Sequence, residues 1–283
     1  MQSLHLIPSY QTQSLDTSIE AEQHLFRLWR SWSIAQRSAR LNATTQSARR
    51  LALETAQRIL PKASAAQQTS YFLRKVLDSA FIPLCQPKED IQVEGAIDEA
   101  LTVAAILDAL CIPYLVGDSV ASGIYGEMRY TQDIDLVARL KLGQVAEIIQ
   151  AFSPRFYTSK AAIREAIDRG GSFNLIDNET GWKIDILVLT DAAFKQSEFQ
   201  RRQPVPVNSQ GETLVLPTAE DLILQKLLWY RMTHNQSDKQ WRDILGVMKL
   251  QGETLDFDYL WQWAEPLNVA ESLASALAAA GLF

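Results

Sequence analysis

The sequence predicts an α/β core set between two helical blocks, and three observations carry that prediction. Apolar residues recur at helical spacing from about Ile19 to Ala80. From Ile91 the pattern changes to helices alternating with short strand-forming runs. Beyond Pro217 it becomes helical again. A length of 283 residues leaves room for a sizeable core and for two domains. The expected divisions are a loose tail over 1–18, a basic helical region over 19–88, the α/β core over 89–216 and a helical region over 217–283.

Taken in order, Leu25, Trp29 and Trp32 mark the first helix. A break is predicted at Asn42-Ala43-Thr44-Thr45, followed by a helix through Leu51, Thr55 and Ile59 that Pro61 ends. A third helix runs from about Ser64 to Leu77, and Ile82 to Pro87 reads as a linker. In the core, Val93 to Leu110 is a helix, Ile112 to Val116 and Asp133 to Ala138 are strands, and Val145 to Phe152 and Ala161 to Ile167 are helices. Ser172 to Ile176 and Trp182 to Leu189 flank Asn178-Glu179-Thr180-Gly181, a hairpin signal. Pro204 to Val207 and Thr213 to Leu216 form another strand pair. Thr218-Ala219-Glu220-Asp221 opens the last region as a capping box; further helices cover Trp241 to Leu250, Tyr259 to Trp263 and Ala270 to Ala280.

Composition is ordinary for a soluble protein, 47% hydrophobic and 21% charged. Cys85 and Cys111 have no metal spacing and are expected to be buried thiols in a reducing compartment. His5, His24 and His234 are scattered, and the helical tryptophans are expected in the core. No signal-like leader or membrane span is read, so a soluble, cytoplasmic protein is expected. The net charge of −6 argues against a general nucleic-acid binder. Between Glu20 and Lys75, however, ten basic residues stand against three acidic ones. Such a face either meets RNA or an acidic partner, or docks on the acidic remainder of the chain.

The chemistry concentrates in Gly117-Asp118-Ser119 and in Asp133-Ile134-Asp135. Aspartates at i and i+2 of a strand leave the same face, so two carboxylates converge on one divalent cation. The glycine and serine upstream bring N–H groups and a hydroxyl toward phosphates. Asp185 alternates with Ile184 and Ile186, and an aspartate there is costly to bury unless paired or bound to metal. If its strand lies beside that of Asp133, three carboxylates meet. An Asp-x-Asp alone fits a surface edge strand equally well; the combination is more specific.

With these residues, and with Arg129-Tyr130-Thr131, Pro217 to Lys226 and Trp241-Arg242-Asp243, the chain resembles the nucleotidyltransferase superfamily that shares the polymerase-β-like fold. More narrowly it is similar to AbiEii-type nucleotidyltransferases, which include toxins of type IV toxin–antitoxin systems. The resemblance covers about Ile91 to the C-terminus. It implies that Asp133, Asp135 and Asp185 are catalytic and bind Mg²⁺, and that Gly117, Ser119, Arg129, Thr131 and Lys226 contact the nucleotide. It implies transfer of an NMP from an NTP to a hydroxyl of tRNA, protein or a small molecule such as an antibiotic, and a possible cognate antitoxin. Lys226 reads equally as a solvated helix lysine; Arg242 and Asp243 read as a functional charge pair or, more readily, as a structural salt bridge inside the helical block. One departure is Asp118, where relatives carry a small residue; a carboxylate there repels a triphosphate unless it turns away or joins the metal. The competing readings are a catalytically silent nucleotide or partner binder, a metal-dependent glycosyltransferase and a helical interaction module.

Overall fold

The computed structural model describes residues 10–85 and 91–282. His5, the first half of the expected tail, and the end of the linker with the expected 88/89 boundary lie outside the described residues.

The N-terminal block is built from α1 (Ile19–Arg30), α2 (Ile34–Ile59) and α3 (Ala65–Val76). The break expected at Asn42 falls instead at Ser31 to Ser33. Ser33 and Gln36 form a reciprocal capping box that starts α2 there, and the helix then runs unbroken through Asn42. Asn42 is used across the interface. Its Oδ1 accepts from the Ile97 amide at 2.9 Å and its Nδ2 donates to Asp98 at 2.8 Å, capping α4 (Ala96–Ala109), whose own N-cap is Gly95.

The core follows as β1 (Tyr114–Val116), α5 (Asp118–Tyr125), β2 (Asp133–Ala138), α6 (Val145–Phe152), β3 (Phe156–Tyr157), α7 (Lys160–Arg169), β4 (Ser172–Asp177) and β5 (Lys183–Val188). These strands make one mixed sheet in the order β1-β2-β5-β4-β3. β2 and β5 are parallel, and the other neighbours are antiparallel. Along β2 and β5 every second residue is buried: Ile134, Leu136 and Ala138 on one, Ile184, Ile186 and Val188 on the other. Each large side chain so buried contributes about 1.5–3 kcal/mol, and a slip of one residue would turn the aspartates into the core. The register is therefore fixed by the apolar face, and the polar face inherits it.

A helix α8 (Ala193–Arg201) leads to the hairpin β6 (Gln203–Pro206) and β7 (Thr213–Leu216). The C-terminal block contains α9 (Ala219–Met232), α10 (Asp238–Gln251), α11 (Phe257–Ala264) and α12 (Ala270–Ala280). Strand β3 and helix α8 carry no clear periodicity in the sequence and were not expected. Two glycines permit close approaches. A Cβ on Gly126 would stand 2.7 Å from the Val247 amide and 2.8 Å from the Gly246 carbonyl carbon, so α10 lies directly against the end of α5. Gly181, at φ 69°, closes the β4–β5 hairpin beneath Leu73 of α3.

Several expectations are corrected here. Cys85 is buried, but Cys111 is exposed at a left-handed turn after α4. Trp229 and Trp261 are exposed, whereas the fully buried tryptophan is Trp182. His24 and His234 lie on the surface as expected. The basic N-terminal face is only partly a solvated one. Arg37 and Arg49 are buried, and Arg30 donates to the carbonyls that end α10. No helix among the described residues is long and apolar enough to cross a membrane.

Candidate active site

The register of β2 and β5 decides the site. Asp135 stands directly opposite Asp185, and Asp133 opposite Lys183, all on the polar face of the sheet. Adjacent strands lie about 4.8 Å apart and alternate residues of one strand about 6.6 Å, so the three carboxylates share one small area. Asp118, at the first turn of α5, is the fourth. Burial, followed by the negative charges of Asp118, Asp133 and Asp185, pushes the Asp135 carboxyl up to about 8, with Lys183 opposing the shift.

Two of the carboxylates are already engaged. Lys183 Nζ contacts Asp185 Oδ2 at 2.5 Å, and the Asn174 amide donates to Asp185 Oδ1. Asn174 lies opposite Asp185 in the β4–β5 register. It is a partner that the sequence pattern, a polar residue on the outward face of a strand, did not single out. Asp118 accepts from the Lys226 ammonium. Among the described residues no three His, Cys, Asp or Glu side chains stand as a ready-made metal cage. The donor set nevertheless suits a hard divalent cation: carboxylate oxygens, in excess over local positive charge, on a partly buried face. Asp133 and Asp135 are the pair without a protein cation of their own among the described residues.

Gly117 is the N-cap of α5, and its amide donates to the Asp135 carbonyl at 2.9 Å, so the turn is pinned to β2. An added Cβ there would meet nothing closer than Leu115 at 3.6 Å. The glycine therefore leaves its outer side open rather than filling a tight space. Ser119 and Thr131 turn inward. Their hydroxyls lie 2.7 Å apart and reach the Asp133 carbonyl at 3.2 and 3.0 Å. Both are buried, and these side chains fix the start of β2 against α5.

Lys226 is not a solvated helix lysine. It is 1% exposed and holds Asp118, Asp243 (2.8 Å) and Gln240 (3.2 Å). Arg129 grips both oxygens of Asp243, at 2.7 and 2.6 Å. Those contacts hold the Asp243 carboxyl below the usual range despite its burial, which by itself acts the other way. The pair expected between Arg242 and Asp243 is absent. Arg242 instead binds Glu127 at 2.7 and 2.6 Å, because α10 turns adjacent side chains to different faces. Asp118 thus answers Lys226 while still bordering the same pocket as Gly117 and Asp135. It does so with a backbone φ of 37°, a conformation that non-glycine residues adopt at a cost.

No protein-family model matches the sequence, and no curated protein matches it. In fold the chain is similar to a nucleotidyltransferase-like antigenic protein of Paracoccidioides brasiliensis, with a TM-score of 0.42 and 19% identity over 64% of this chain and 93% of that one. It is similar to the antibiotic-resistance factor ANT(2'')-Ia, with a TM-score of 0.41 and 14% identity over 61% and 94% of the two chains. A CCA-adding enzyme in complex with ATP follows at a TM-score of 0.30 and 14% identity, over 73% of this chain and 54% of that one. At these scores the likeness is coarse, and the functional reading rests on the site itself.

Proposed function

We propose that the protein is a Mg²⁺-dependent nucleotidyltransferase of the polymerase-β-like type, moving an NMP from an NTP to an acceptor hydroxyl. The observation that carries this reading is the β2–β5 register, which sets Asp135 beside Asp185 with Asp133 on the same face, next to the open turn at Gly117. Three aspartates on one face, with a glycine turn and a helix start beside them, are the parts needed to hold a charged triphosphate near an attacking oxygen.

In the proposed reaction the acceptor oxygen bonds to the α-phosphorus while the bond from that phosphorus to the pyrophosphate oxygen breaks. The hydroxyl proton leaves to a nearby base, and pyrophosphate carries away the negative charge. Asp133 and Asp135 would hold the cation; Asp185 would be a further ligand or the group that orients the hydroxyl and takes its proton. A bound Mg²⁺ supplies neutralisation of the phosphate charge and alignment of the reacting groups. Asn174 and Lys183 hold Asp185 in place until then. Lys226 and Arg129 are tied to Asp118 and Asp243, so a role for Lys226 at the phosphates requires that Asp118 release it.

The test is incubation with each α-labelled NTP, Mg²⁺ and total cellular RNA and protein. Label should be transferred by the intact chain and lost in Asp133→Ala and Asp135→Ala. Full transfer by Asp133→Ala would sink the assignment. The finer reading, a toxin of a type IV system with a cognate antitoxin, adds the outcome that expression arrests growth and that the same substitutions abolish the arrest. A second reading, a silent nucleotide binder, is favoured by the Asp118–Lys226 contact alone. Tight NTP binding without transfer to any acceptor, unchanged by Asp118→Gly, would select it.

A further inference from the structure

Asp133 and Asp135 are neighbours on one strand face, yet they open onto different spaces. Asp135 lines a narrow pocket together with Gly117, Asp118 and Trp229. Asp133 lines a separate cleft of about 400 Å³ whose walls include Arg74, Lys75, Phe81, Gln132 and Lys183. No residue of the Gly117 turn borders this second cleft. Transfer in line requires the attacking and leaving oxygens on opposite sides of the phosphorus, and hence two entrances that meet at the carboxylates. On the nucleotidyl-transfer reading the Gly117 side takes the nucleotide, which leaves the Asp133 cleft for the acceptor.

The chemistry of its walls selects the acceptor. Arg74 and Lys75 sit side by side in the last turn of α3, both exposed, and neither has a carboxylate within ion-pair distance among the described residues. Lys183 is committed to Asp185. Asp78, on the rim, is folded back onto its own turn, accepting from the Ala80 amide and the Ser79 hydroxyl. Phe81 is half-buried with its ring 5.2 Å from the Lys183 ammonium, and it leaves an aromatic surface at the wall. Two cations without a carboxylate partner, Lys75 resting over the Tyr71 ring at 5.4 Å, beside a partly open ring match phosphate and base together. A protein hydroxyl would leave both cations unused.

Resting on the nucleotidyl-transfer reading, we infer that the cleft between the end of α3 and β2 is the acceptor site, and that its acceptor is a single-stranded polynucleotide end whose phosphates Arg74 and Lys75 hold. This gives the N-terminal helical block, which the motif resemblance leaves unexplained, a place in the active site. The strand's terminal hydroxyl would enter past Asp133 toward Asp185, with the preceding phosphates reaching out along α3.

The full chain titrated into a short, fluorescently labelled single-stranded RNA, followed by anisotropy at several salt concentrations, tests this without turnover. Arg74→Ala/Lys75→Ala should weaken binding about tenfold or more and lower the salt slope by about 1.4, at about 0.7 per phosphate contact for single strands. Arg58→Ala/Lys62→Ala, exposed in the same helical block but absent from the cleft walls, should change the slope by much less. Equal losses in both double variants would show diffuse binding and overturn the inference, as would no loss in the first. Displacement of the RNA by inorganic phosphate at equal concentration would reassign the cleft to a free anion and also overturn it. Binding of a non-hydrolysable Mg–NTP, measured in the same proteins, separates the two claims. If NTP affinity falls in parallel with RNA affinity, the cleft belongs to the nucleotide and the acceptor assignment is lost. If NTP neither binds nor reacts in the intact chain while RNA binds as described, the transfer reading fails instead.

Discussion

Replacing Lys226 by methionine tests whether this lysine sustains the buried ion cluster or only completes it. Its ammonium is 1% exposed and meets Asp118, Asp243 and Gln240. Methionine keeps most of the volume and removes the charge. Asp243 then stays paired, because Arg129 still binds both its oxygens at 2.7 and 2.6 Å. Asp118, a quarter exposed, can rehydrate. Methionine also avoids the cost of desolvating an ammonium. The expected loss is therefore about 1–2 kcal/mol, below the 3–5 kcal/mol typical when a buried charge is left uncompensated. Asp243→Ala is the converse case. It leaves Lys226 and Arg129 facing each other with only Asp118 between them, and should cost about 3–5 kcal/mol. Urea unfolding followed by the fluorescence of the seven tryptophans reads both, with the m-value checked for a common unfolding transition. Equal losses in the two variants would refute the argument that Arg129 suffices for Asp243. No loss in either would show that the cluster contributes nothing to the fold.

Further outcomes follow from the same geometry. Asp118→Gly removes a carboxylate beside the proposed triphosphate site, frees Lys226 and relaxes a positive φ, so titration calorimetry with a non-hydrolysable Mg–NTP should show affinity raised by on the order of tenfold; a fall would make Asp118 a ligand of the cation. Gly126→Ala drives a Cβ into the backbone of α10 and should lower stability by about 3 kcal/mol, read as a reduced melting temperature. Glu99 is fully buried, with one carboxylate oxygen lacking a partner, and burial followed by the charge of Asp177 raises its carboxyl well above 4.5. The folded state thus holds this proton more tightly than the unfolded chain; the associated stability is present below about pH 4.5 and is lost as pH rises through the folded value. Glu99→Gln should therefore be more stable than the parent at neutral and alkaline pH, with the difference closing toward acid. A constant difference across the range would exclude Glu99 as the titrating group.

The parts of the site that depend on short-range pattern were legible. Alternation of apolar residues in Asp133 to Ala138 and Lys183 to Val188 gave the face that each aspartate shares, since a period of two is a property of the strand itself. Pro217 and the Thr218–Asp221 cap likewise announced the start of α9. Asn42 misled because a polar cluster that normally ends a helix was serving a different helix across the interface. Ser119 and Thr131 hold the start of β2 against α5 as well, a use that the sequence does not announce because a hydroxyl beside a glycine turn pins backbone as readily as it binds phosphate.

By itself, then, the sequence determined the α/β class and the strands that carry Asp133, Asp135 and Asp185, because these follow from periodicity and local capping. Tertiary structure alone decided which strands adjoin, and so which carboxylates meet. It also decided that Asp118 answers Lys226, that Asp243 answers Arg129 rather than Arg242, and that α3 brings Arg74 and Lys75 to the edge of the aspartates. The partners in each ion pair lie on different elements, more than one hundred residues apart in the first two cases and fixed by how those elements pack. Charge complementarity acts through space, and no spacing along the chain encodes it.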